Sequence, residues 1–322
     1  MTVPALNVKN LTVRIDNGSR PLTLVDNISF SINAGNATGL VGESGCGKTM
    51  TAMAILGLLP ASGVSVRCTC IEVNGKDISR LNAAQRRSVL GRDIAMIFQQ
   101  PATALDPVFT IGQQIAGVVR RHVGGSKQQI RTTMLSALDS VGFSQTRDIA
   151  AAYPHQLSGG MRQLVMIAMA TVCKPAVIIA DEPTTALDSS TRTLILQQLK
   201  SLQALQQTAM LFISHDLNVV RQSCSDVIVM YCGRLVESTD VQKLFSHARH
   251  PYSAGLLSCI PQISRTRPTP ITSIPGQVPA ANEQPPGCHF SPRCNRTETR
   301  CRISVPKLDD ENGRGAACFN PL

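Results

Sequence analysis

The 322-residue chain has no tryptophan, three tyrosines and eight phenylalanines, so aromatics make up only 3% of it. Stacking platforms of the kind most single-strand nucleic-acid binders use are therefore poorly supplied. There is no apolar run near the roughly 18 residues that a membrane-spanning helix needs. The richest stretch, Leu164 to Ala180, is broken by Lys174 and Pro175. The N-terminus lacks the basic-then-apolar pattern of a secretory signal, which predicts a chain that stays in the cytoplasm. No internal repeat is visible.

What is present points to a globular protein. The length suits one large domain or two modest ones, and 43% hydrophobic against 16% charged residues is a composition that folds. A formal net charge of +10 invites anionic partners: nucleotides, nucleic acid or the cytoplasmic face of a membrane. Eleven cysteines, an odd number without an export signal, read as thiols or metal ligands rather than a disulfide framework. Four of them, Cys288, Cys294, Cys301 and Cys318, crowd the last 35 residues.

Alternation of apolar and polar positions from Leu6 to Ile32, around Asp16-Asn17-Gly18, predicts a hairpin and a small antiparallel sheet. A short strand over Thr38–Val41 is followed by a glycine-rich turn and a helix from Lys48 to Leu59, stopping before Pro60. From Asn82 to about His155 the pattern is mainly helical, with apolar positions at Ile115, Val119, Ile130, Met134, Leu138 and Val141. Strands return over 176–180 and 209–213, separated by a helix from about Ser190 to Gln206, which makes the core a parallel βαβ sheet. After about Glu237 the composition shifts, and Pro261 to Pro292 reads as an extended connector to the cysteine-rich tail.

The chemistry concentrates in three places. Gly42, Glu43, Ser44, Gly45, Cys46, Gly47, Lys48 and Thr49 satisfy the pattern G-x-x-x-x-G-K-S/T between a predicted strand and a predicted helix, the context such a phosphate loop requires. Its glycines let backbone amides wrap phosphates, the helix N-terminus adds positive potential, Lys48 a point charge, and Thr49 a Mg²⁺ ligand. Cys46 adds a thiol that alkylating agents could reach, although a small filler is the better reading. Asp181 and Glu182 close a buried strand, where ligands bind in open α/β sheets. Asp181 suits Mg²⁺, and Glu182 suits a general base on water, worth roughly 10²- to 10⁴-fold. His215, at the end of the next strand, is placed to donate to a γ-phosphate.

Leu157, Ser158, Gly159, Gly160 and Met161, continuing into Arg162-Gln163, resemble the signature sequence of ATP-binding cassette (ABC) proteins. Gln99 in Phe98-Gln-Gln-Pro101 resembles the Q-loop of that family, Ala186-Leu-Asp188 its D-loop, and His215 its switch histidine, over about residues 5 to 235. The resemblance implies an α/β fold: a RecA-like parallel sheet core, an N-terminal antiparallel β subdomain and an inserted helical subdomain at about 92–165, all within an ABC ATPase domain of residues 1–236. It implies ATP and Mg²⁺, the ion held by Thr49, Gln99 and Asp181, and a head-to-tail pair in which each signature faces the partner's nucleotide. Family members commonly stack adenine on an aromatic, and the equivalent position here is aliphatic Ile15.

Residues 237–322 narrow the resemblance. His250-Pro251-Tyr252, Gly255-Leu256-Leu257, Ile274-Pro-Gly276 and the stretch from Gly287 to Cys294 look like the tail of ATPase subunits of dipeptide, oligopeptide and nickel importers. That implies a second, related ATPase, two integral-membrane permease subunits and an extracytoplasmic substrate-binding protein, with no nucleic acid. The chain would sit at the cytoplasmic face of the inner membrane. Nickel-chelate or glutathione-like cargo, an exporter ATPase and a soluble cassette protein remain the alternatives. The four tail cysteines are enough for a 4Fe-4S cluster or a structural zinc. Their spacings exceed the two to four residues of zinc knuckles, and relatives are thought to carry a cluster here, which favours iron–sulfur over zinc or free thiols.

Overall fold

The computed structural model describes residues 3–16, 18, 21–185, 187–260, 273–308 and 315–322. The chain divides into two compact units. One comprises Met1–Leu6, Ser31–Asn36 and Glu72–Phe212; the other Asn7–Phe30, Ala37–Ile71 and Ile213–Leu322.

In the first unit the strands Ala209–Ser214, Val177–Asp181 and Ile94–Ile97 lie side by side in that order. Ile94–Ile97 pairs in parallel with Val177–Asp181. Every residue of Val177–Asp181 and of Ala209–Ser214 is buried, which is why both read as continuous apolar runs rather than alternating ones. Ile94–Ile97 falls inside the stretch expected to be helical. Its run Ile-Ala-Met-Ile is too short for periodicity to separate strand from helix.

The helices Ile111–His122 and Lys127–Ser140 follow, each opened by a capping box, Thr110 with Gln113 and Ser126 with Gln129. Ile115, Val119, Ile130, Met134, Leu138 and Val141 are all buried, as the helical spacing predicts. Gly159–Thr171 leads into Val177–Asp181, and Ser189–Gln206 leads out of it.

In the second unit Leu22–Ile32 lies beside Leu6–Ile15, and Val64–Arg67 pairs antiparallel with the latter. Asn17, in the expected turn, lies outside the described residues. Gly315–Ala316, Arg234–Asp240, Asp226–Tyr231 and Ala37–Val41 lie in that order, Ala37–Val41 and Asp226–Tyr231 parallel and the remaining neighbours antiparallel. The helix that follows Ala37–Val41 runs over Lys48–Leu56, three residues shorter than expected. Gly57 adopts φ 64° there, and the Leu58 N–H closes onto the Met53 carbonyl, so a glycine cap ends the helix before Pro60 can.

Residues after 236 belong to this same unit. Val41, Val227, Val229 and Tyr231 share one buried cluster with Tyr252 and Phe290. The connector residues 261–272 lie outside the described residues.

Candidate nucleotide site

The phosphate loop sits between the buried strand Ala37–Val41 and the helix Lys48–Leu56. Gly47 takes φ 109° where a Cβ would stand 2.8 Å from the Leu24 carbonyl oxygen, and a Cβ on Gly42 would stand 2.1 Å from that of Met230. Both positions thus demand glycine, on backbone conformation and on close approach.

Lys48 is 6% exposed, and its ammonium donates to the carbonyls of Gly42 at 2.8 Å and Glu43 at 3.0 Å. Ser44, Gly45 and Thr49 are exposed, so the middle of the loop and the start of the helix face solvent while the lysine is folded beneath. Cys46 is 1% exposed and 3.6 Å from the Lys48 ammonium. Burial pushes its thiol up, against the pull of Lys48. The enclosure suits the small-filler reading and leaves the alkylatable thiol as the weaker option. Ile15, the last residue of its strand, is half-buried opposite Val64.

In the first unit Asp181 ends its strand at 2% exposure. Glu182, immediately after, holds a left-handed φ of 46°, an uncommon conformation for a side chain-bearing residue and one that turns it out of the strand direction. Its Oε2 accepts hydrogen bonds from Gln99 Nε2 at 2.8 Å and from Thr185 Oγ1 at 2.9 Å. Gln99 and Glu182, which the sequence suggested separately, are thus brought together.

Ser158 caps the helix Gly159–Thr171, its hydroxyl accepting from the Met161 N–H at 3.3 Å. The two signature glycines differ. A Cβ on Gly160 would meet Thr191 Cγ2 at 2.5 Å, whereas one on Gly159 would meet nothing within 4 Å. Leu157 is buried, and its carbonyl accepts from Arg162 Nε at 3.0 Å.

Asp188 caps Ser189–Gln206 by accepting from the Ser190 and Thr191 N–H groups and from both hydroxyls. Those bonds, the Ser190 hydroxyl's first, hold its carboxyl well below the usual carboxylate range. Ala186 of the expected D-loop lies outside the described residues. His215 is exposed, directly after Ala209–Ser214.

In the tail, Cys288, Cys294, Cys301 and Cys318 line one small cavity with His250, Pro251 and Phe290. The Cys288 N–H donates to the Cys301 carbonyl at 2.7 Å, a closeness that leaves no room for a Cβ on Gly287. Burial first, then repulsion from the other three thiols, pushes Cys288 up to about 11, and burial with repulsion from Cys294 and Cys301 raises Cys318. Among the described residues, no group of three or more His, Cys, Asp or Glu side chains is arranged to hold a metal ion. The tail cysteines converge, then, without forming a ready single-ion site. No described helix is long and apolar enough to cross a membrane.

Arg293, buried at 8% exposure, grips Glu43 of the phosphate loop with both terminal nitrogens, at 2.7 and 3.1 Å. Sequence reasoning had no means of finding this pair, because 250 residues separate its members.

Residues 25–185 match the model of the ABC transporter family, and residues 236–301 that of the oligopeptide/dipeptide transporter C-terminal region. The chain is 41% identical over 318 residues to the dipeptide transport ATP-binding protein DppD of Escherichia coli, covering 98% of this chain and 97% of that protein. It is 41% identical over 315 residues to the oligopeptide transport ATP-binding protein AppD of Bacillus subtilis, covering 98% and 96%. A dimeric ATP-binding cassette solved in a post-hydrolysis state with ADP and Pi superposes with a TM-score of 0.65 at 26% identity, over 73% of this chain and 98% of that one. The chain belongs to the ABC transporter family, as an ATP-hydrolysing, ATP-binding subunit that carries the oligopeptide/dipeptide transporter C-terminal region.

Proposed function

We propose that the chain is the motor subunit of a membrane importer for di- or oligopeptides, working head to tail with a second, related ATPase on two separate permease subunits. The observation that carries this is near-full-length similarity, tail included, to transport ATP-binding proteins for dipeptides and oligopeptides. Cargo would reach the permeases from an extracytoplasmic binding protein, with this chain peripheral at the cytoplasmic face of the inner membrane and no nucleic acid involved.

In this reading the backbone amides of the loop from Ser44 to Thr49 and the Lys48 ammonium take the phosphates of ATP, with Ile15 offering the base an aliphatic surface. By resemblance to the family, Thr49, Gln99 and Asp181 would hold Mg²⁺, whose charge would offset that of the phosphate oxygens. Glu182 accepts a proton from the attacking water as the γ-phosphoryl leaves to give ADP and phosphate, and Gln99 fixes the orientation of that carboxylate. His215 donates to the γ-phosphate, and Asp188 shapes the D-loop. The signature would serve the partner's nucleotide, and the open space at Gly159 leaves room for close approach by a phosphate.

The four tail cysteines are proposed to hold a 4Fe-4S cluster. The four thiols line one cavity, where two of them, Cys288 and Cys318, are costly to ionise, and a cationic centre would reverse that cost. Intervals of five and six residues between the first three cysteines exceed those of zinc knuckles, which favours the cluster over a single zinc ion. Iron and labile sulfide assays on anaerobically purified protein should both read positive, and two zero readings dismiss the cluster.

The test of the whole reading is mild detergent extraction of membranes containing a tagged copy, followed by mass spectrometry of the proteins that co-purify. Two multi-spanning permeases with a second ATPase are expected. Recovery only in soluble fractions, with ribosomal or nucleic-acid partners, would remove the transport role.

A further inference from the structure

The second unit contains a connection that catalysis by the motifs alone does not require. Glu43, second residue of the phosphate loop, is held from the C-terminal extension at two points. Its carboxylate receives both terminal nitrogens of Arg293, at 2.7 and 3.1 Å, and its backbone N–H donates to the Tyr252 hydroxyl at 2.9 Å. Neither anchor is loose. The Arg293 Nε donates to the Pro275 carbonyl at 2.9 Å, and its guanidinium lies over the Tyr231 ring at 5.9 Å. Tyr252 is fully buried, packed on Tyr231 at 4.6 Å and on Phe290 at 5.3 Å between ring centroids.

The grip matters because of what Glu43 does next. Its carbonyl accepts from the Lys48 ammonium at 3.0 Å and from the Cys46 N–H at 3.3 Å. The residue clamped from the tail is therefore the one against which the loop lysine is seated. A bidentate arginine–carboxylate pair fixes direction as well as distance, and with the Arg293 side chain 5% and the Glu43 side chain 26% exposed, solvent reaches the pair only from the carboxylate side.

We infer that Arg293 and Tyr252 are positioning residues for nucleotide binding, a strut from the C-terminal extension that sets the shape of the phosphate loop through Glu43. The inference rests on the ATPase reading above and adds to it a task for the extension: chains of this kind need their tail for tight ATP binding. The strut touches no phosphate and carries no proton in the reaction, so its loss raises KM for MgATP and leaves kcat nearly unchanged.

The test uses the full chain, with a fluorescent ATP analogue for binding and phosphate release for turnover. Arg293→Met alone leaves Glu43 unpaired, so weaker binding there could reflect a buried charge rather than a lost strut. The double variant Glu43→Gln with Arg293→Met removes both charges at similar volume and separates the two. Expected are a KM for MgATP raised about tenfold, the loss of one charge-assisted contact, in the double variant, kcat within about twofold of wild type, and partial recovery in Arg293→Lys. Tyr252→Phe should raise KM without the arginine being touched. A double variant that binds ATP as the wild type does overturns the strut, while wild-type binding that vanishes with Lys48→Ala still upholds the ATPase reading. Wild-type binding that is absent, or indifferent to Lys48→Ala, overturns that reading and the strut with it.

Discussion

Gln99 Nε2 donates to Glu182 Oε2 at 2.8 Å, joining two residues 83 positions apart at a carboxylate that Thr185 also holds. On the role proposed for it, Glu182→Gln keeps the shape and loses the base. MgATP binding should persist while turnover falls by about 10²-fold or more. Gln99→Ala removes this orienting bond together with a proposed Mg²⁺ ligand, so turnover should fall by about tenfold or more while Glu182 stays in place. Steady-state phosphate release with parallel nucleotide binding measures both. Undiminished turnover in Glu182→Gln removes it from the mechanism.

The signature glycines should separate in a pair of single substitutions. Gly160→Ala drives a Cβ to 2.5 Å from Thr191 Cγ2, so it should destabilise the chain by about 1–3 kcal/mol, the cost of overpacking. Gly159→Ala meets no atom within 4 Å and should leave the chain's unfolding midpoint within error. If the space at Gly159 is kept for a partner's nucleotide, the same substitution lowers ATPase activity of the assembled pair. Thermal unfolding of the single chain and turnover of the complex give the two readouts, and equal destabilisation by both changes would end the distinction.

Local patterns were legible where chemistry and backbone coincide. The phosphate loop is contiguous, and its glycines are demanded by nearby carbonyls at Leu24 and Met230 that the motif already anticipates. Helical core positions from Ile115 to Val141 followed from spacing alone. The Leu59 boundary failed because a glycine at 57 competes with a proline at 60, and the nearer cap wins. Ile94–Ile97 was hidden by its brevity. The Arg293–Glu43 pair was illegible for a different reason: each residue looks ordinary in its own stretch, and only the folded chain brings a tail arginine to the loop.

Cys46 should be inert in the native chain. It is 1% exposed, with its thiol raised by burial, so nucleophilic thiolate is scarce even beside Lys48. Iodoacetamide at pH 8 followed by peptide mass spectrometry should find Cys46 unmodified in native protein and modified after denaturation. Rapid native labelling would show that the loop opens on the labelling timescale.

His250 gives the tail a dependence on pH. It is 1% exposed; its Nδ1 accepts from the Tyr252 N–H at 3.0 Å, and its own backbone N–H donates to Glu237 at 2.9 Å. Burial lowers its pKa from 6.5 to about 4. In that interval the unfolded chain binds a proton that the folded chain does not, so folding stability is complete above about pH 6.5 and declines as pH falls toward 4. A displacement of that size is worth at most about 3 kcal/mol. His250→Asn retains an acceptor for the Tyr252 N–H but cannot titrate. Unfolding midpoints recorded from pH 7 to pH 4.5 should fall more steeply for the wild type than for the variant. Parallel curves would mean that His250 takes up its proton alike in the folded and unfolded chains, and that the acid sensitivity of this region comes from other groups.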